Sequence, residues 1–264
     1  MKPQLSIYQV DAFTDQLFGG NPAAVCPLEY WLPDATMQNI AAENNLAETA
    51  FFVPNENGYE LRWFTPLVEV DLCGHATLAS AHILYEHMGY PHPDIAFQSR
   101  NCGVLTVSKK DDLLTLDFPA DDPKPCDIPE NLSQGLGVKV SGCFKGKTDY
   151  LATVENQEIL DHITPDFRTI GTITARGIIV TCPGEEYDFV SRFFAPAVGV
   201  DEDPVTGSAH TTLVPYWAKR LGKTEFVAQQ RSKRMGELRC RLDLDRVKIS
   251  GKARTYLQGE INIE

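Results

Sequence analysis

Apolar and polar residues alternate along much of the chain in short runs bounded by glycine, proline, asparagine and aspartate, the pattern of half-buried strands. Such runs predict strands at Leu5–Val10, Ala23–Val25, Ala50–Val53, Tyr59–Phe64, Ile95–Gln98, Gly103–Ser108 and Leu113–Phe118, the last two joined over Lys109–Asp112. The same pattern returns at Val138–Phe144, Asp149–Val154, Gly177–Cys182, Phe226–Gln229, Glu237–Asp243, Arg246–Ser250 and Ala253–Gly259. Helical spacing interrupts it after Pro33-Asp34, where Met37, Ile40 and Ala41 share a face, and in shorter patches at Glu130–Leu136 and Asn156–Ile163. Two longer runs stand apart. One starts near His75 or Ala76 and reaches Met88, with Gly89 as its C-cap. Its Ala76, Leu78, Ala79, Ala81, Ile83 and Leu84 cover most of the circumference, so this helix is expected to be buried on most sides. The other, Ser208–Leu221, carries Leu213, Val214, Tyr216 and Trp217, with Pro215 expected to kink or tighten it. Strands outnumber helices and no regular βαβ alternation appears, which favours an α+β fold.

The two long helical runs belong to a repeated unit. RWFTPLVEVDLCGHATLASAHILYEHMG (62–89) and RFFAPAVGVDEDPVTGSAHTTLVPYWAKRLG (192–222) match at Arg62 and Arg192, Phe64 and Phe194, Pro66 and Pro196, Val70 and Val200, and Asp71 and Asp201. The register then slips by three in the loop, so that Gly74 pairs with Gly207 and Gly89 with Gly222. This is the signature of a duplicated domain. The proline- and charge-rich stretch DFPADDPKPCDIPE marks the boundary between halves, placing domains at 1–122 and 123–264.

Charge and composition narrow the function classes. With 36 acidic against 24 basic residues and a net charge of -12, the chain is not expected to bind nucleic acid or an anionic membrane. No apolar run approaches a membrane span, and the N-terminus does not read as a secretory signal. The seven cysteines are scattered without a CxxC pair, which fits a reducing, cytoplasmic setting and argues against a structural zinc site.

Candidate chemistry gathers at loops. Gly19-Gly20-Asn21-Pro22 reads either as a plain hairpin turn or as a place where backbone N–H groups approach a ligand. Glu48 lies where a helical pattern gives way to a strand: a solvated strand end, or a general base mounted on a rigid edge. Polar loops precede both long helices, Cys73-Gly74-His75 in one half and Asp203-Pro204-Val205-Thr206-Gly207-Ser208 in the other. Helix starts of this kind bind carboxylates. The plain alternative makes Ser208 an N-cap and His75 a satisfied polar residue, but recurrence of the loop favours a site that grips one carboxylated substrate from both halves.

NNLAETAFF, GHATLASA, DEDPVTGSA and the opening VDAFTDQLFGGNPAAV together resemble the PhzF-like phenazine-biosynthesis isomerase family, over essentially the full chain. The resemblance implies a diaminopimelate epimerase-like fold: two pseudo-symmetric domains, each a curved, mostly antiparallel sheet around a central helix, with the substrate in the interdomain cleft. It implies Glu48 as general acid/base, His75 and Asp203 as helpers, and Asn21, Gly74, Gly207 and Ser208 as substrate contacts. The implied reaction is a cofactor-independent, metal-independent proton shift on a small carboxylated molecule, carried out by a cytoplasmic homodimer. Cys73 departs from the family pattern. Phenazine-type members usually carry alanine there, while racemizing relatives use a cysteine from each half, and the opposite loop has none. A two-thiol racemase is therefore not expected, and Cys73 stands as an accessory candidate beside Glu48. A tautomerase or lyase using the same glutamate, and a non-enzymatic carboxylate-binding protein, are the competing readings.

Overall fold

A computed structural model describes residues 4–263. The chain divides into two compact units, one running to Asp117 and resuming at Ser250, the other Phe118–Ile249. The first begins with β1 (Gln4–Ala12), β2 (Asn21–Pro27), α1 (Asp34–Asn44), β3 (Glu48–Asn55), β4 (Gly58–Phe64) and β5 (Glu69–Val70). It continues through α2 (Gly74–Glu86), β6 (Asp94–Ser99), β7 (Gly103–Lys110) and β8 (Leu113–Pro119). The second contains β9 (Lys124–Pro125), α3 (Leu132–Leu136), β10 (Gly142–Lys145), β11 (Tyr150–Thr153), α4 (Gln157–Asp161) and α5 (Phe167–Ile170). There follow β12 (Ile178–Pro183), β13 (Phe189–Ala195), β14 (Val200–Glu202), α6 (Gly207–Leu221), β15 (Glu225–Gln230), β16 (Gly236–Asp243) and β17 (Arg246–Gly251), before β18 (Ala253–Asn262) returns to the first unit.

Strand pairing makes the duplication explicit. β1 and β2 are antiparallel, β2 and β3 parallel, β3 and β4 antiparallel; β4 then carries the short β5 and pairs in parallel with β6, which pairs antiparallel with β7. β10 to β16 repeat that scheme step for step. Outside it, β18 lies antiparallel to β1 as β9 lies antiparallel to β10. The last strand therefore supplies the first unit with the outer partner that β9 supplies to the second. The expected boundary, which kept residues 123–264 together, misses this because ladder partners distant in sequence leave no local mark.

The repeated arginines explain where the register slips. Arg62 forks onto Glu69 with bonds of 2.7 and 2.6 Å, and Arg192 onto Glu202 with 2.7 and 3.0 Å. Each guanidinium also lies over a phenylalanine ring, Phe64 at 5.0 Å and Phe194 at 4.9 Å. Phe64 stands opposite Glu69 in its ladder and Phe194 opposite Glu202, so the offset is already 133 at these glutamates. The extra residues fall earlier than expected, in the Pro196–Val198 3-10 turn and Gly199, whose φ is 85°. Val70 and Asp71 are thus not the counterparts of Val200 and Asp201, and Cys73 corresponds to Thr206.

Both long helices are central to their units. α2 packs against β1, β2, β3, β7 and β18, and its Ala76, Leu78, Ala79, Ala81, Ile83 and Leu84 are fully buried. The helical ladder ends at Glu86 with His87 as the capping residue; Gly89, at φ 65°, makes the exit turn rather than the cap itself. α6 continues through Pro215 without breaking. A proline cannot donate to the carbonyl four residues back, and here the Asp121 N–H takes its place on the Thr211 carbonyl at 3.0 Å. Val138–Phe144 shortens to β10, because the chain before Gly142 pairs with Thr153 only through Ser141. A second buried cluster around Leu132, Leu160, Val180 and Phe194 forms the other unit's core.

Candidate active site

In the first unit three element starts converge: β2 at Asn21, β3 at Glu48 and α2 at Gly74. The parallel pairing of β2 with β3 sets Glu48 opposite Ala23 and so near Asn21. The turn before Asn21 is fixed by Gly20, whose φ is 59° and where a Cβ would lie 2.1 Å from the Ala12 carbonyl oxygen. Buried Asp11 helps hold this loop, accepting the Phe18 N–H at 2.8 Å.

His75 is the centre of the cluster. Its Nε2 lies 3.2 Å from Glu48 Oε2, and the Asn21 side-chain nitrogen lies 3.1 Å from its Nδ1. Burial pushes the imidazole down to about 3, so the ring is neutral and its 3.2 Å contact with Glu48 is not an ion pair. The Asn21 amide donates to Nδ1, which places the ring proton on Nε2, on the side of Glu48. Glu48 keeps 18% of its side chain exposed while His75 keeps 5%, so Glu48 is the more open of the two, although its Oε2 is itself buried. The first turn of α2 contributes backbone N–H groups at Gly74 and His75, a setting that favours an anion.

Cys73 is the N-cap residue of α2, buried, with its carbonyl accepting both the N–H and the hydroxyl of Thr77 at 3.1 and 2.6 Å. Its Sγ is 3.4 Å from His75 Nδ1 and 4.0 Å from Nε2. Together, Glu48, Cys73 and His75 bring an oxygen, a sulfur and a nitrogen within 4.8 Å of one another, a ligand set suited to a transition metal. The fit is poor: the two sulfur distances place Sγ beside the imidazole, well off both nitrogen lone-pair axes. One ion could not be shared along a lone pair unless the Cys73 side chain turned.

The second unit assembles its own loop. Asp203 Oδ2 accepts the Thr206 hydroxyl at 2.5 Å, and Gln230 clamps both residues. Gln230 takes the Thr206 N–H at 2.8 Å and donates to the Asp203 carbonyl at 2.7 Å and to the Thr206 hydroxyl at 3.1 Å. Ser208 accepts from Arg176 at 2.9 Å, and Arg176 forks onto the buried Asp149. Gly207 opens α6 and is buried.

Asn21, Glu48, Cys73, Gly74 and His75 thus meet in one unit, while Asp203, Gly207 and Ser208 meet in the other. Reading the sequence alone overlooks Asp11, Thr206, Arg176 and Gln230. Thr206 was accessible from the repeat, since 133 residues separate it from Cys73; Arg176 and Gln230 carry no local signal, because their partners are remote in sequence.

A family model described as phenazine biosynthesis-like protein matches residues 10–259. The chain belongs to that family. It is 50% identical over 260 residues to an uncharacterized isomerase of Pseudomonas aeruginosa, covering 98% of this chain and 100% of the relative. It is 51% identical over 260 residues to an uncharacterized isomerase of Halalkalibacterium halodurans, covering 97% of each. The crystal structure of a PhzF-family phenazine biosynthesis protein from Enterococcus faecalis superposes with a TM-score of 0.96 at 45% identity, covering 99% of this chain and 100% of that one. The pseudo-symmetric halves with central helices are therefore the PhzF and diaminopimelate epimerase-like fold. Among the described residues no helix is long and apolar enough to cross a membrane.

Proposed function

We propose that this protein is a cofactor-independent isomerase that moves a carbon-bound proton on a small carboxylated substrate, with Glu48 as the proton carrier. The observation that carries the reading is the Glu48 carboxylate packed against the neutral, buried His75, with Oε2 3.2 Å from Nε2, at the start of a buried helix. A carboxylate beside a neutral ring, with no cation against it in that contact, can act as a base. Glu48 takes a proton from the substrate carbon, negative charge develops toward the substrate carboxylate, and the N–H groups at the start of α2 face that charge. Glu48 then returns the proton to a different carbon, so the step is redox-neutral and leaves the enzyme unchanged. The resemblance assigns Asp203, Gly207 and Ser208 to the same substrate from the second unit, with Asn21 setting the His75 tautomer from the first.

The test uses a panel of small unsaturated carboxylic acids in heavy water. Wild-type protein should convert at least one member with deuterium at the newly formed C–H bond. Glu48→Gln keeps the size of the side chain but removes the base, and should slow incorporation by at least ~100-fold, the scale of a lost general base. Equal incorporation by both proteins would refute the assignment.

A further inference from the structure

A pair of thiols in the second unit stands outside this chemistry. β9 and β10 set Lys124 opposite Lys145 and Pro125 opposite Phe144, so the next facing pair is Cys126 and Cys143. The Cys126 N–H donates to the Cys143 carbonyl at 3.0 Å, and the two Sγ atoms are 3.6 Å apart. We propose that Cys126 and Cys143 form a reversible, peroxide-responsive dithiol that closes to a disulfide inside the second unit. Opposed residues of an antiparallel ladder have Cα atoms about 4.5–5.5 Å apart, inside the ~4.4–6.8 Å window of a disulfide. The sulfurs already touch, so bonding needs side-chain rotation rather than movement of either strand.

The two thiols differ in a way that assigns their roles. Cys126 is half-buried and can meet an oxidant, whereas Cys143 is buried and its thiol is pushed up to about 12 by burial and by the neighbouring Cys126. The Cys126 thiolate attacks hydrogen peroxide, the O–O bond breaks, and a sulfenic acid and hydroxide form. Cys143 then attacks the sulfenic sulfur; the S–S bond forms, the S–O bond breaks, and the thiol proton leaves with the oxygen as water. Overall two thiols are oxidised and one peroxide is reduced to two waters. The bridge would enclose α3 and tie β9, near the entry of the chain into this unit, to β10.

Peptide mapping of the full-length protein tests this directly. Trypsin does not cut at Lys124 because Pro125 follows, so cleavage after Lys110, Lys139 and Lys145 separates residues 111–139, with Cys126, from residues 140–145, with Cys143. After hydrogen peroxide and N-ethylmaleimide blocking, these two peptides should appear joined, two hydrogens lighter than their sum. The linked species should be insensitive to protein dilution during oxidation and lost on treatment with dithiothreitol. Recovery of both peptides alkylated, of Cys126 as sulfinic acid alone, or of either cysteine joined elsewhere would overturn the proposal. In Cys126→Ser, Cys143 should remain reduced at the same dose; its oxidation there would overturn the assignment of Cys126 as the attacking thiol.

Discussion

Acidifying the protein from pH 7 to pH 5 should leave His75 uncharged. An ordinary histidine titrates near ~6.5, which would make it about 97% imidazolium at pH 5. With its value pushed down to about 3 by burial, His75 should be about 1% charged at that pH. The sign of the stability effect follows. The unfolded chain takes up the proton through ~6.5 while the folded chain resists it until about 3. The neutral state's stability is thus fully present above ~6.5 and is lost progressively as pH falls toward about 3. At pH 5 the loss from this residue is about 2 kcal/mol, from roughly 1.5 decades of differential protonation at ~1.36 kcal/mol each. His82 and His210 are pushed down in the same direction by burial, so the relevant quantity is the difference between wild type and His75→Gln. Urea unfolding at both pH values should show the variant losing about 2 kcal/mol less on acidification. Long-range proton–nitrogen NMR on histidine-labelled protein reads the mechanism itself, and should find the proton on Nε2, unchanged from pH 8 to pH 5. A His75 titration midpoint between pH 6 and 7, or a proton on Nδ1, would refute this account of the His75 environment.

Further expectations follow from the same contacts. Cys73→Ala should retain proton-transfer activity, since its counterpart in the second unit is Thr206 and no matching thiol faces the same role; a loss beyond ~100-fold would restore thiol chemistry. Arg192→Met should cost about 3–5 kcal/mol in urea unfolding, because it strands the Glu202 carboxylate and uncovers the Leu160 and Ile163 carbonyls that the guanidinium serves. Retention of nearly full stability would show that water replaces it. The homodimer implied by the resemblance should scatter light at twice the 29.3 kDa chain mass across a range of concentrations, and a monomer throughout would exclude it.

Much of this arrangement is legible from local pattern, and the rest fails for identifiable reasons. The buried character of α2 follows from its unbroken small and apolar residues, and Glu48 stands at the strand start where helical spacing ends. The repeat places Gly74 with Gly207 because glycine at a helix entrance survives in both halves. What escapes is everything set by partners distant in sequence. β18 joins the first unit through its ladder with β1 and its packing on α2, and Pro215 is tolerated in α6 because Asp121 covers the Thr211 carbonyl. The slip of register was misplaced because paired valines and aspartates happen to repeat at 130, while the ladder registers fix 133 from Glu69 onward.

The corrected register also explains why a carboxylate like Glu48 sits in one half only. Phe64 pairs with Thr49 and Phe194 with Ile178, so Thr49 corresponds to Ile178 and Glu48 to Gly177. A Cβ at Gly177 would lie 2.3 Å from the Phe193 ring, so no side chain fits there without displacing a buried aromatic. The helix starts diverge as well. Positions 73, 75 and 77 are cysteine, histidine and threonine, whereas 206, 208 and 210 are threonine, serine and histidine. Thr77 and His210 serve the same purpose, each bonding the carbonyl of its own N-cap residue, at 2.6 and 2.9 Å. The second unit's imidazole is thus committed to its helix, fully buried, while the first unit's imidazole is turned to Glu48. Duplication preserved the scaffold and the glycine-opened helix starts in both halves. At this pair of positions it left room for a carboxylate in one half alone, so under the proposed function one carboxylate serves both removal and return of the proton.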